Sequence, residues 1–178
     1  AQLLETVSRK SNNTKHFAHS PLAAIDLTVK PEEKSANANA RLLAIDYGTK
    51  RTGIAVTDPL QLIANGLTTV RSHELLQFLE NYCASEKVEK FIIGMPRTLR
   101  NEAAENAKYV NIFAKQCAQK FPHIPIIFVD ERFTSTIAHQ TMRAAGLKKT
   151  DRQNKELVDT ISATIILQSY MEQKNNML

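Results

Sequence analysis

The sequence predicts an α/β fold in which a mixed central sheet is flanked by helices on both faces. The first observation is the order of patterns after Arg41, where two or three short strands precede an alternation of helix, strand, helix, strand and helix. The second is that the apolar runs at residues 91–94 and 125–129 are unbroken, which is typical of strands covered on both faces. The third is a stripe of apolar residues at helical spacing between those strands, which predicts a helix that packs on the sheet.

Other local signals place the remaining elements. Short apolar runs bounded by turn residues predict three strands, at residues 42–45, 52–56 and 66–70. Apolar residues at helical spacing predict four helices, at residues 73–85, 102–120, 135–145 and 155–172. Ser72 and Thr134 precede two of these helices and are their predicted N-caps, while Gly146 ends the third helix.

Residues 1–40 differ in composition from the rest of the 178-residue chain. They are rich in Asn and Ser and lack a helical period, apart from one apolar piece at residues 22–29, within which residues 25–29 resemble a strand. We therefore predict a flexible N-terminal extension at residues 1–40, followed by one domain at residues 41–178.

Composition and charge limit the location and the partners of the protein. No apolar run approaches the roughly 18 residues that a membrane span requires, so we expect no membrane association. The two cysteines, Cys83 and Cys117, lie in helical patterns without metal-ligand spacing, which is typical of a reducing compartment and predicts a cytoplasmic protein. The net charge of +5 permits a polyanionic partner such as nucleic acid.

Three acidic positions stand out because apolar residues surround them. Asp46 ends the first buried strand, Asp130 and Glu131 follow the strand at residues 125–129, and Asp159 lies in an apolar helix. Taken singly, each has an ordinary structural use, as a turn former, a loop ion pair or a charge near a helix N-terminus. However, sites in open α/β sheets form at the carboxyl ends of neighbouring strands, where a docked helix could add Asp159.

Carboxylates that converge in this way need cations. Oxygen ligands favour Mg²⁺ or Mn²⁺, and two such ions roughly 4 Å apart would activate a water and stabilise the leaving oxygen of a phosphodiester. Because strand side chains alternate in direction, Asp130 and Glu131 cannot both face the metals. We favour Asp46, Glu131 and Asp159 as catalytic and metal-binding residues, with Asp130 left open as the alternative to Glu131.

Basic residues occupy the loops next to these carboxylates. Together they predict an electropositive rim that suits a phosphate backbone. The candidate nucleic-acid-binding residues are Lys50, Arg51, Arg97, Arg132, Lys148, Lys149 and Arg152. Of these, Lys50, Arg51 and Arg132 would steady either substrate phosphates or the acidic cluster itself.

Four stretches of the chain resemble, in order and spacing, the four blocks of the YqgF family: LLAIDYGTKRTGIAVTDPL, IIGMPRT, VDERFTSTIAHQTMRAAG and NKELVDTISATIILQSYME. The resemblance covers about residues 41–173. It implies an RNase H-like fold and a RuvC-type arrangement of acidic residues at Asp46, Glu131 and Asp159. Members of the family are described as pre-16S rRNA nucleases and as Holliday junction resolvases, so a metal-dependent nuclease in 5′-end maturation of pre-16S rRNA is implied.

Several alternatives stay open at the level of sequence. The protein could be a Holliday junction resolvase in DNA recombination and repair, or a non-catalytic RNA-binding module of ribosome assembly. The stretch Asp46-Tyr47-Gly48-Thr49 also resembles the first phosphate loop of the actin, Hsp70 and sugar-kinase group, although those ATPases need two domains and residues 41–178 supply one. The sequence leaves the oligomeric state open between a monomer and a homodimer.

Overall fold

The computed structural model describes residues 39–96, 105–130 and 134–176, with the backbone alone for residues 134 and 135. Residues 1–38, which make up nearly all of the predicted extension, lie outside this part of the chain. The predicted site residues Arg97, Glu131 and Arg132 also lie outside it.

The described residues form five strands and five α-helices. In chain order they are β1 (Arg41–Tyr47), β2 (Arg51–Thr57), β3 (Ala64–Arg71), a 3₁₀ turn (Ser72–Glu74), α1 (Leu75–Ser85), β4 (Val88–Met95), α2 (Ala107–Lys120), β5 (Ile126–Asp130), α3 (Thr134–Ala144), α4 (Lys149–Arg152) and α5 (Lys155–Asn176). The five strands predicted after residue 40 are all present, and each extends by one to three residues beyond at least one of its predicted ends, whereas the strand-like segment at residues 25–29 lies outside the described residues.

The five strands form one mixed sheet in the order β3-β2-β1-β4-β5. Strands β1, β2 and β3 pair antiparallel as a meander, whereas β4 and β5 pair parallel to β1 and to each other. This order, with its antiparallel half first, is that of an RNase H-like fold, which confirms the predicted class. The carboxyl ends of β1, β4 and β5 therefore meet at one edge of the sheet.

Side chains alternate between two hydrophobic cores, one on each face of the sheet. Along β1, Leu43 and Ile45 belong to the core that α1 and α2 cover, while Leu42 and Ala44 belong to the core that α5 covers. Helices therefore flank both faces, as predicted. Helix α3 packs on α5 rather than forming a third layer of its own against the sheet.

The predicted N-cap at Ser72 is wrong. Ser72 begins a 3₁₀ turn, and neither that turn nor α1 has a side-chain cap hydrogen bond. The Ser72 hydroxyl instead donates to the backbone carbonyl of Gly48, with an oxygen–oxygen distance of 2.6 Å. The Ser72 hydroxyl therefore bonds to a residue distant in sequence and not, as the sequence suggested, to the first turn of the helix.

The last third of the domain agrees with prediction at one helix end and departs from it in one loop. Gly146 has φ of +72°, and the Leu147 N–H donates to the Met142 carbonyl, so Gly146 ends α3 as predicted. The segment between the helices predicted at residues 135–145 and 155–172, for which the sequence predicts no helix, contains the short helix α4. No helix among the described residues is long and apolar enough to cross a membrane.

Candidate active site

Asp46 lies at the carboxyl end of the central strand, on the face that α5 covers. It is the last residue but one of β1 and pairs with Gly53 of β2. Since Leu42 and Ala44 belong to the α5 core, alternation places the Asp46 side chain on the same face. Strands β1 and β2 form a hairpin, and Asp46 belongs to the paired strand and not to the turn, which covers residues 48–50.

Gly53 brings the backbone of α5 against the sheet beside Asp46. A Cβ atom at this position would overlap the backbone carbonyl of Asp159. Cross-strand pairs in an antiparallel ladder place their side chains on one face, so the vacant side-chain position of Gly53 lies next to Asp46. The first and the third of the predicted carboxylates are thus neighbours across the sheet–helix interface.

Asp159 is partly buried and forms an ion pair with Arg51. The Nε atom of Arg51 donates to Oδ2 of Asp159 at 3.0 Å. Burial raises the pKa of the Asp159 carboxyl because the charged form loses hydration, and the hydrogen bond and charge of Arg51 oppose that rise. Arg51 therefore contacts one of the three predicted carboxylates.

A network of hydrogen bonds fixes the turn that carries Lys50 and Arg51. The Gly48 N–H donates to the Arg51 carbonyl at 3.0 Å, and the Ser72 N–H donates to the Lys50 carbonyl at 3.1 Å. The hydroxyls of Ser72 and Thr52 share a further hydrogen bond of 2.9 Å. Sequence reasoning missed this role of Ser72, because its partners are 20 or more residues away and no local pattern marks them.

Asp130 lies on the face of the sheet opposite to Asp46. In β5, Ile127 and Val129 contact the α5 core, while Ile126 contacts the core under α1 and α2. Asp130 is the last residue of β5 and lies four residues after Ile126. Because side chains alternate along a strand, the Asp130 side chain points to the same face as that of Ile126. The strand therefore turns Asp130 away from the face on which Asp46 lies and α5 packs, and the assignment of Glu131 stays a prediction.

Three of the predicted nucleic-acid-binding residues lie directly before the helix that carries Asp159. Lys148 and Lys149 are exposed, Arg152 is partly buried, and the short helix α4 contacts α5. Asn154 caps α5, since its Oδ1 atom accepts from the N–H groups of Glu156 and Leu157. Lys148, Lys149 and Arg152 thus precede Asp159 by 7 to 11 residues along the chain, and the exposed Lys50 lies in the turn after β1.

The acidic pair is compatible with a hard divalent cation, but it is smaller than the predicted set. Within the described ranges, no group of three or more His, Cys, Asp or Glu side chains is placed to hold a metal ion. Mg²⁺ is nevertheless often bound through one or two carboxylates, with water and substrate oxygens completing its shell. Asp46 and Asp159 supply donors of this kind.

The family of the chain follows from a comparison with known protein families. Residues 40–173 match the family described as "RuvX: Holliday junction resolvase". The chain belongs to this RuvX family. RuvX is the YqgF family of the sequence resemblance, which is therefore confirmed. The match contains Asp46, Asp159 and the whole of the described sheet.

Curated RuvX relatives carry a second description. A protein of Bacteroides thetaiotaomicron named "Putative pre-16S rRNA nuclease" is 62% identical over 135 residues, which are 76% of this chain and 98% of that protein. A protein of Flavobacterium johnsoniae with the same name is 53% identical over 134 residues, covering 75% and 97%. Among solved structures, Thermus thermophilus RuvC in complex with a Holliday junction substrate has a TM-score of 0.46 at 16% identity, covering 75% of this chain and 96% of that one.

Proposed function

We propose that this RuvX-family chain is a metal-dependent nuclease that hydrolyses phosphodiester bonds in the 5′-end maturation of pre-16S rRNA. The observation that carries the proposal is the placement of Asp46 and Asp159 on one face of the sheet, where the missing side chain of Gly53 lets helix α5 approach. Membership of a nuclease family and the names of the curated relatives support it.

We assign Asp46 and Asp159 as ligands of Mg²⁺ or Mn²⁺, with Glu131 as the third carboxylate of a site for two ions. Asp130 faces the other side of the sheet, which favours Glu131. Such ions, when bound, supply Lewis-acid stabilisation of the phosphate and a nucleophilic water. The carboxylates are the residues that hold and orient them, so their removal must stop hydrolysis without removing the basic surface.

The basic residues of the site divide into two groups by what they contact. Arg51 holds the Asp159 carboxylate through its Nε atom, which fixes the orientation of that ligand. Lys148, Lys149 and Arg152 precede α5, and we assign them with Lys50 to the phosphate backbone of the substrate. Arg97 and Arg132 remain predictions of the same kind outside the described residues.

The decisive experiment separates cleavage from binding. We expect Asp46→Asn and Asp159→Asn each to abolish cleavage of a labelled RNA that contains the 5′ precursor sequence of 16S rRNA, in Mg²⁺ or Mn²⁺. Both variants should bind that RNA in EDTA at least as tightly as the unchanged protein, because a negative charge is removed. Asp151→Asn is the matched control, since Asp151 is exposed on α4 near the basic residues and should leave cleavage unchanged.

Other outcomes distinguish the alternatives. Cleavage of a four-way DNA junction but not of the RNA would replace the proposed substrate with the one that the family description names. RNA binding without cleavage of either substrate in any divalent ion would instead identify a binding module of ribosome assembly.

A further inference from the structure

Three large apolar side chains are exposed together at the tip of the β2–β3 hairpin. Leu60, Leu62 and Ile63 have 68%, 70% and 61% of their surface exposed, and we call these three residues the hairpin patch. They are far from the Asp46 edge of the sheet along the strands, because β2 runs away from that edge. Clustered apolar residues on a surface are typical of a site that another segment or protein covers.

Asp58 holds the loop of the hairpin patch in a defined conformation. Its carboxylate accepts hydrogen bonds from the N–H groups of Leu60 at 3.0 Å and of Leu62 and Ile63 at 2.7 Å each. These backbone hydrogen bonds lower the pKa of the Asp58 carboxyl. Because the loop is already ordered, a ligand that covers the patch loses less free energy to loop ordering than it would on a flexible surface.

The N-terminal part of the chain enters the domain directly beside this patch. The Nε2 atom of Gln61 donates to the Ala40 carbonyl at 2.8 Å, so the loop is bonded to the residue that precedes β1. The Oε1 atom of Gln61 accepts from Nζ of Lys174 at 3.0 Å, which also fixes the loop to α5. Whatever precedes Asn39 must therefore start its path next to Leu60, Leu62 and Ile63.

The chain supplies an apolar segment at a suitable distance. In residues 22–29, Ile25, Leu27 and Val29 alternate with Asp26 and Thr28, which is the pattern of a strand with one apolar face. Nine residues separate Val29 from Asn39, and an extended chain of that length spans at most about 30 Å. The segment can therefore return to the patch without strain in the connection.

We propose that residues 22–29 dock on the hairpin patch of the same chain, with Ile25, Leu27 and Val29 against Leu60, Leu62 and Ile63. The first part of β3 would also be shielded. Strand β3 is one of the two edge strands of the described sheet, and Leu67 is 39% exposed on it. The family match begins at residue 40, so the segment lies outside the part that the chain shares with the RuvX family.

A disulfide trap in the full-length chain tests this docking. With an added thiol oxidant such as diamide taking up the two electrons, Leu27→Cys with Leu62→Cys should form a disulfide within one chain about ten-fold faster than Leu27→Cys with Gln116→Cys, because docking raises the effective concentration of the two thiols. Gln116 is an exposed position on α2, on the other face of the sheet. The native thiols interfere little, since burial raises the pKa of Cys83 to about 11 and that of Cys117 to about 12.

A fluorescence measurement tests it without added thiols. The chain contains no tryptophan, so Leu62→Trp introduces a single reporter in the patch. Adding Leu27→Asp should shift the Trp emission to longer wavelength, whereas Thr28→Asp, on the polar side of the segment, should leave it unchanged. Equal emission in the three variants, or disulfide formation at the Gln116 control rate, would overturn the proposal. A disulfide only between two chains would also overturn it and would assign the patch to a second copy.

Discussion

Two opposing effects act on the Asp159 carboxylate. Burial raises its pKa, while Arg51 lowers it through a hydrogen bond and through its charge, and burial is the larger effect. An acid whose pKa is higher in the folded protein binds its proton more tightly there than in the unfolded chain. The stability that this protonation contributes is therefore present at low pH and is lost as the pH rises through the folded-state pKa.

Replacing Arg51 by Ala should raise the pKa of Asp159 further. The guanidinium favours the ionised carboxylate, so its removal takes away the largest effect that opposes burial, whereas Arg51→Lys keeps the charge and should give a smaller rise. The free energy of unfolding should change by less than about 1 kcal/mol, because the two side chains are 34% and 26% exposed. Carbon-13 NMR titration of the Asp159 carboxyl measures the pKa, and an unchanged value in Arg51→Ala would contradict the assigned pair.

The contact of β2 and β3 with α5 depends on the absence of two side chains. Gly53 faces the backbone of Asp159, and Gly66 of β3 faces Thr160 and Thr164 of the same helix. A third contact is a hydrogen bond of 2.8 Å between the hydroxyls of Thr69 and Thr160. Helix α5 consequently lies closer to the antiparallel half of the sheet than it could if larger side chains stood at these two positions.

Gly53→Ala should destabilise the fold by about 1–3 kcal/mol and reduce cleavage, because the added methyl group would push the Asp159 backbone away from Asp46. Gly66→Ala is the matched control. Its Cβ would first meet Cγ2 of Thr160, at 2.6 Å, and a side chain yields more easily than a helix backbone. Urea unfolding gives the free energy of unfolding of both variants. An equal decrease in the two would show that the contact with the Asp159 backbone is no more important for stability than the contact with Thr160.

Patterns with a local physical cause were predictable from the sequence. The unbroken apolar run around Ile92 and the helical stripe through Val110 follow from burial, and Gly146 follows from a left-handed helix end. The two misses have different causes, one non-local and one local. Ser72 bonds across the fold to Gly48, and the polar residues around Lys149 gave no apolar period that would mark α4.

The candidate site was predictable to the extent that its acids end or interrupt apolar runs. Asp46 stood out in this way at the end of β1, and Asp159 did so within α5. The sequence could not show the ion pair between Arg51 and Asp159, since 108 residues separate the partners. It also could not decide the direction of Asp130, which depends on the register of β5 against β4.

The described candidate acidic residues and the basic residues next to them lie at one edge of the molecule. The carboxyl end of β1, the turn with Lys50 and the N-terminal part of α5 lie together there, whereas the hairpin patch marks the opposite end of β2. If nucleic acid binds along the basic edge, its affinity must depend on the salt concentration, because each phosphate contact releases counterions.

Lys148→Gln combined with Lys149→Gln should weaken RNA binding and reduce the slope of log affinity against log salt by about 1 per lysine. The control is Lys87→Gln combined with Lys115→Gln, which removes the same charge from exposed positions before β4 and on α2. Fluorescence anisotropy at several salt concentrations gives both slopes. Equal slopes in the two double variants would mean that net charge, and not this edge, attracts the RNA.

The ion pair between β2 and α5 has a consequence for newly made chains. All five described strands precede α5 in synthesis, so Asp159 can reach Asp46 only after the whole sheet has been synthesised. Under the proposed function a nascent chain whose α5 has not yet docked would be latent, able to attract RNA but unable to cut it. Docking of α5 would then be the step that completes the active site, and an incompletely folded chain would not cleave the RNA around it.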